Sequence, residues 1–216
     1  MITIEDTLEL PVNSLRKLGY NIQPMKVASA MTKGTAEVPA DDGIRTTLRL
    51  GDSSLIVGEV RSTEARALYE AMRVGALANV VAGTIHGDSP YGVYDRVVND
   101  LDVPKTSFKA TDIIVVANVI RTPDGLSSFR RITGITEVRK HWKEDPEEEG
   151  GFVNLVEYSA KDDILKPSQT LKMGESDVLN SIASNVRDWK NSWEKVWDNI
   201  NLRAKVLQTL SEYSKA

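Results

Sequence analysis

Residues 54–61 read "SLIVGEVR", a short apolar run with "LGDS" before it and "RSTE" closing it. Such a run reads as a buried strand of a parallel sheet. Its ending raises the functional question. An ionised Glu59 at the mouth of an apolar strand loses hydration unless a metal, a water network or an arginine replaces it, and a plain ion pair with Arg61 is the simplest structural account.

On the C-terminal side, Ser62 is placed to cap a helix whose apolar positions Ala65, Leu68, Tyr69 and Met72 keep helical spacing as far as Gly75. The β-branched run "NVVAGTIHG" (79–87) then predicts a second strand, ending in His86 and the turn-forming Gly87, Asp88, Ser89 and Pro90. Strand, helix and strand in this order make a right-handed βαβ unit, which puts both strand ends on one edge of the sheet. Glu59 and His86 are therefore expected at one crevice. On the N-terminal side, "MITIEDTLEL" predicts a short strand running straight into Glu5, Asp6 and Glu9. Residues 18–47 are broken by Gly and Pro, although "DDGIRTTLRL" allows a short helix carrying Arg45 and Arg49, suited either to phosphate or intersubunit contacts or to a solvated face.

The pattern changes at residue 112. "DIIVVANVI" and "SFRRITGITEV" are joined by "RTPDGLS", a hairpin signal, and "FVNLVEYS" adds a third strand after an acidic run read as a solvated loop. The last third reads as helical. Val178, Leu179 and Ile182 mark a short helix, and Trp189, Trp193, Val196, Trp197, Ile200, Leu207 and Leu210 trace one stripe, expected to dock within the chain. The reading is α/β, with a domain over 1–160 and a helical subdomain over 161–216.

Composition narrows the function. The 216 residues carry a formal charge of −4, which disfavours a broad nucleic-acid surface, and no apolar run approaches the roughly 20 residues of a membrane helix. With no cysteine and two histidines, thiolate chemistry is excluded and a zinc centre is disfavoured. Acids at the ends of parallel strands, joined by one histidine, suit phosphoryl chemistry: carboxylates hold Mg²⁺ through its waters and orient an attacking water, and the imidazole reaches a terminal phosphate.

The ordered set "TIEDTLEL", "LRLGDSSLIVGEVR" and "GTIHGDSP" resembles the Asp box, Walker B and His box of the type II/type IV secretion system ATPase superfamily, nearest to the archaeal secretion, pilus and archaellum motors. The resemblance implies a RecA-like P-loop NTPase core, with a β-hairpin extension, that binds ATP and Mg²⁺. It implies a homo-hexameric ring on the cytoplasmic, inner face of the cell membrane, acting on a polytopic membrane platform protein. By position, Glu59 becomes the Walker B carboxylate acting on Mg²⁺ through water, Glu5 an Asp-box acid with a catalytic role, and His86 the sensor of the terminal phosphate. Asp6, Glu9, Gly58 and Arg61 join the nucleotide and Mg²⁺–water network, Gly58 by letting backbone and ligand approach closely. No GxxxxGK[ST] stretch occurs, so the phosphate-binding Walker A loop is missing. The expectation is the C-terminal half of an ATPase domain, inactive alone. The alternatives are a non-catalytic module completing another chain's site and a metal-dependent phosphohydrolase unrelated to motors.

Overall fold

The structure, a computed structural model, describes residues 1–28, 38–49, 54–74, 80–122 and 124–214. It divides into two compact units, 1–111 and 112–216.

In the first unit, β1 (Ile2–Glu5), β2 (Gln23–Lys26), β3 (Leu55–Val57) and β4 (Val81–Gly83) form a wholly parallel sheet in the order β2-β1-β3-β4. The register pairs Ile2 with Leu55 and Leu55 with Val81, so Glu5, Glu59 and His86 leave the same edge. Ile2, Ile4, Leu55 and Val57 are buried, as unbroken apolar runs in a parallel sheet must be. Between β1 and β2 lies α1 (Val12–Lys17), and α2 (Ala40–Thr47) precedes β3. The strand expected over 79–87 is ordered as strand only at Val81–Gly83, and residue 79 lies outside the described residues.

Helix α3 (Glu64–Val74) crosses from β3 to β4 and buries Ala65, Ala67, Leu68, Tyr69 and Ala71. Gly75, read as its end, lies outside the described residues. Its start is reversed from the expected Ser62 cap. The Glu64 carboxylate accepts from the backbone N–H of Arg61 at 2.5 Å and of Ser62 at 2.8 Å, and from the Ser62 hydroxyl at 2.7 Å. A carboxylate takes two free backbone donors at once, where a hydroxyl takes one. After the His86 loop, α4 (Pro90–Asp95) opens with Ser89 accepting from Gly92 N–H at 3.0 Å and Pro90 in the first turn. It runs on through a π-helical turn, Arg96–Asp100, before α5 (Lys105–Phe108).

In the second unit, β5 (Ile113–Arg121), β6 (Ser128–Val138), β7 (Phe152–Ser159) and β8 (Ile164–Pro167) form an antiparallel sheet in sequence order. The hairpin and the third strand are those expected, and β8 is the addition. The sequence pattern places residues 164–167 in the helical region, yet they pair with β7 from Val156↔Pro167 to Ser159↔Ile164. The compact units part at 111/112, where the sequence pattern changes. The glutamates of the acidic run are exposed as expected, around a buried Pro146, and the loop is ordered: Glu149 accepts from the N–H groups of Lys143, Glu144 and Asp145.

Helices α6 (Gln169–Lys172), α7 (Asp177–Ser184) and α8 (Trp193–Tyr213) follow. The start of α7 is held by Glu137, fully buried on β6, which accepts from Ser176 Oγ and from Asp177 N–H at 2.9 Å and lies 3.0 Å from Arg139 Nε. The docking expected along the Trp stripe holds only at its N-terminal end. Trp193 stacks on Trp197 and donates to the Lys172 carbonyl at 2.9 Å, and Val196 is buried, whereas Leu207 and Leu210 are 67% and 61% exposed. Trp189 lies before the helix.

Candidate functional site

The carboxyl edge of the parallel sheet gathers side chains from three strand ends. Glu5, the last residue of β1, is 3% exposed, and its Oε1 accepts from the N–H groups of Glu9 and Leu10, each at 2.9 Å. Its Oε2 is buried with no hydrogen-bond partner. An unpartnered carboxylate oxygen in this setting is costly to leave dry. Glu5 also lines a void of about 20 Å³, together with Asp6, Glu59, Arg61 and Glu64, large enough for a single water.

Gly58 answers why a glycine stands before the strand-end acid. A Cβ there would lie 2.8 Å from Glu5 Cγ, so only glycine lets β3 pass close to the β1 carboxylate. The Gly58 N–H donates to the Ile4 carbonyl at 2.8 Å, and its own carbonyl accepts from the Thr84 hydroxyl. Glu59, next in the chain, is 23% exposed; its Oε2 is bound by Arg61, and its Oε1 lies 3.1 Å from His86 Nε2. The Arg61 guanidinium, with lesser help from the charges of His86 and Arg96, holds the Glu59 carboxyl below the ordinary carboxylate range. Arg61 also reaches Asp6, at 3.2 Å, and its ion pair with Glu59 raises its own pKa.

The plain ion-pair account of Glu59 is therefore present in the structure, and Arg61 serves two acids. Glu9 enters through its backbone N–H, its side chain being exposed. His86 is 80% exposed at the mouth. Arg45 pairs with Asp41 at 3.1 Å and with Glu70 at 3.6 Å, on an exposed helix face. Sequence reading missed two groups. Glu64 lines the void, three residues beyond Arg61, where an acid opening an amphipathic helix is the available signal. Arg96, whose Nε is buried without a partner, adds its charge to Glu59 from the π-helical turn.

Among the described residues no three His, Cys, Asp or Glu side chains are arranged to hold a metal ion directly. The chemistry of the acids nonetheless suits Mg²⁺ bound through its waters: Glu5, Asp6 and Glu59 offer carboxylate oxygens, one of them, on Glu5, without a hydrogen-bond partner.

Among known proteins, an uncharacterized protein of Methanocaldococcus jannaschii is 29% identical over 212 residues, 97% of this chain and 71% of that protein. The solved structure of the Legionella pneumophila ATPase DotB aligns with a TM-score of 0.47 at 16% identity. The alignment covers 63% of this chain and 36% of DotB, so the chain spans about a third of that structure. The family described as "Type II/IV secretion system protein" matches residues 1–147. On that match, carried by the segment that holds every strand-end acid and His86, the chain belongs to the type II/IV secretion system protein family.

Proposed function

We propose that the chain contributes the acidic half of an ATP site in a secretion or filament-assembly motor, as the C-terminal part of a RecA-like core. One observation carries this reading: Glu5, Asp6, Glu59 and His86 converge at the carboxyl edge of adjacent parallel strands, the edge where open α/β sheets bind ligands. The phosphate-binding loop comes from outside these 216 residues, since no GxxxxGK[ST] stretch occurs within them. The complete motor works as a hexameric ring on a membrane platform protein. No described helix is long and apolar enough to cross a membrane, in keeping with a peripheral attachment.

The site divides the work among its side chains. Glu59, kept ionised by its arginine neighbour, orients the attacking water. Glu5 is fixed beside it by two backbone N–H groups on one of its oxygens. His86, exposed and 3.1 Å from Glu59, is free to turn and donate to a terminal phosphate. Glu59, with Glu5 and Asp6 beside it, would hold Mg²⁺ through water, and the ion would supply neutralisation of the phosphate charge.

Calorimetry with ATP and Mg²⁺ should show no micromolar binding to the chain alone, because most triphosphate binding energy comes from the loop. In the motor completed with that loop, Glu59→Gln should retain nucleotide binding and lose turnover by two orders of magnitude or more. Unchanged turnover would leave Glu59 a structural partner of Arg61. Hydrolysis of simple phosphate esters by the chain alone would point to a phosphohydrolase instead.

A further inference from the structure

We propose that β5 is a docking edge for a second copy of this chain, the two β5 strands pairing antiparallel about a two-fold axis at Ala117. The inference is independent of the nucleotide-site reading, since every residue it uses lies in the second unit. Strand β5, "IIVVANVIR", runs nine residues at one end of the order β5-β6-β7-β8, and among the described residues no strand pairs with its outer side. Such an edge offers a row of backbone donors and acceptors to any extended chain, and proteins blunt it with charge, proline or brevity. β8, the opposite edge, is blunted in all three ways: it has four residues, carries Lys166 in an ion pair with Asp162 and ends on Pro167. β5 has no proline, and its single charge, Arg121, stands at its last residue. One guarded edge and one open edge limit strand addition to a pair of chains.

The register selects a second copy as the occupant. Antiparallel pairing centred on Ala117 sets Ile113 opposite Arg121, Ile114 opposite Ile120 and Val115 opposite Val119 of the other copy. The two strands then overlap along their whole length, apolar residues face apolar residues, and no like charges meet. Val115 and Val119 are 54% and 56% exposed in the single chain. By strand alternation they share a face with Ala117, and β6 sets the exposed Ile132 opposite Ala117 on that face. Pairing joins the two apolar faces and covers part of each. The contact is isologous, and so distinct from the head-to-tail contacts that close a ring.

The test uses the full chain without nucleotide. Sedimentation should show a monomer–dimer equilibrium, and Val115→Lys combined with Val119→Lys, which sets like charges opposite each other, should weaken it at least tenfold. A chain carrying Val115→Glu and Val119→Glu should be weakened in the same way, and mixing the two variants should restore a dimer with one chain of each. Circular dichroism checks that each variant is folded. The chain has no cysteine, so single cysteines read the register. Ala117→Cys should give a disulfide-linked dimer on mild oxidation, because directly opposed residues lie about 4.5–5.5 Å apart. Val115→Cys should not, because its counterpart in the other copy stands about 13 Å along the strand. These two variants decide the matter if the lysine variant fails to fold. A chain that stays monomeric at every concentration overturns the proposal, even if another protein's strand adds to β5. A dimer unchanged in the folded lysine variant, or cross-linking through Val115→Cys and not through Ala117→Cys, overturns it too.

Discussion

Glu64 shows how one buried side chain ties the start of a helix to the site. It is 5% exposed and has three donors on its two oxygens. Burial pushes its pKa up, but the N–H groups of Arg61 and Ser62 and the Ser62 hydroxyl outweigh that and leave it below the ordinary 4.5. The unfolded chain therefore takes up this proton at a higher pH than the folded one. The stabilisation is complete above about pH 5 and declines as the pH falls through the folded-state value. Urea unfolding of the chain and of Glu64→Gln between pH 3 and 7 should show a gap of about 1–3 kcal/mol at neutral pH that narrows below about 4.5. A gap independent of pH would mean that the carboxylate charge contributes nothing.

At the scale of an element, α8 is two helices in one. Its first two turns are anchored: Trp193 packs against Gly174, where a Cβ would meet the indole at 2.5 Å, stacks on Trp197 and donates to Lys172. Its later turns expose Leu202, Val206, Leu207, Leu210 and Tyr213. Trp193→Ala should cost about 3 kcal/mol. Leu210→Lys should change stability by less than about 0.5 kcal/mol, because an exposed position loses no buried area. Chemical denaturation of the two variants checks both values, and a large loss at Leu210 would show that its face is covered in solution.

For the whole molecule, the division at 111/112 has a direct consequence. A break at 160/161 would separate β7 from β8 and remove the pairs from Val156↔Pro167 to Ser159↔Ile164. It would also part the Arg131 guanidinium from Asp163, which it grips at 2.8 and 2.9 Å. Residues 112–216 expressed alone should therefore unfold cooperatively, with dispersed amide signals. Residues 161–216 alone should not, since β8 lacks its partner and α7 loses the Glu137 carboxylate that holds its start. Circular dichroism and amide dispersion of the two fragments provide the comparison; a folded 161–216 would favour a boundary at 160/161.

What the amino-acid sequence determined alone is local and periodic. β3, α3 and the β5–β6 hairpin follow from apolar runs, helical spacing and a Pro-Asp-Gly turn, because each of those signals acts within a few residues. The meeting of Glu59 with His86 was also legible, since right-handed βαβ connection places successive strand ends on one edge. Pairing partners far along the chain were not legible. β2 carries Gln23 and Pro24, and β8 carries Lys166 and Pro167; neither has a strand pattern of its own, and each is a strand because a neighbour offers it a hydrogen-bonding edge. The same holds for which acid Arg61 grips, for the orphaned oxygen of Glu5 and for how far the α8 stripe is covered. Those depend on which surfaces packing leaves open, and tertiary structure alone decided them.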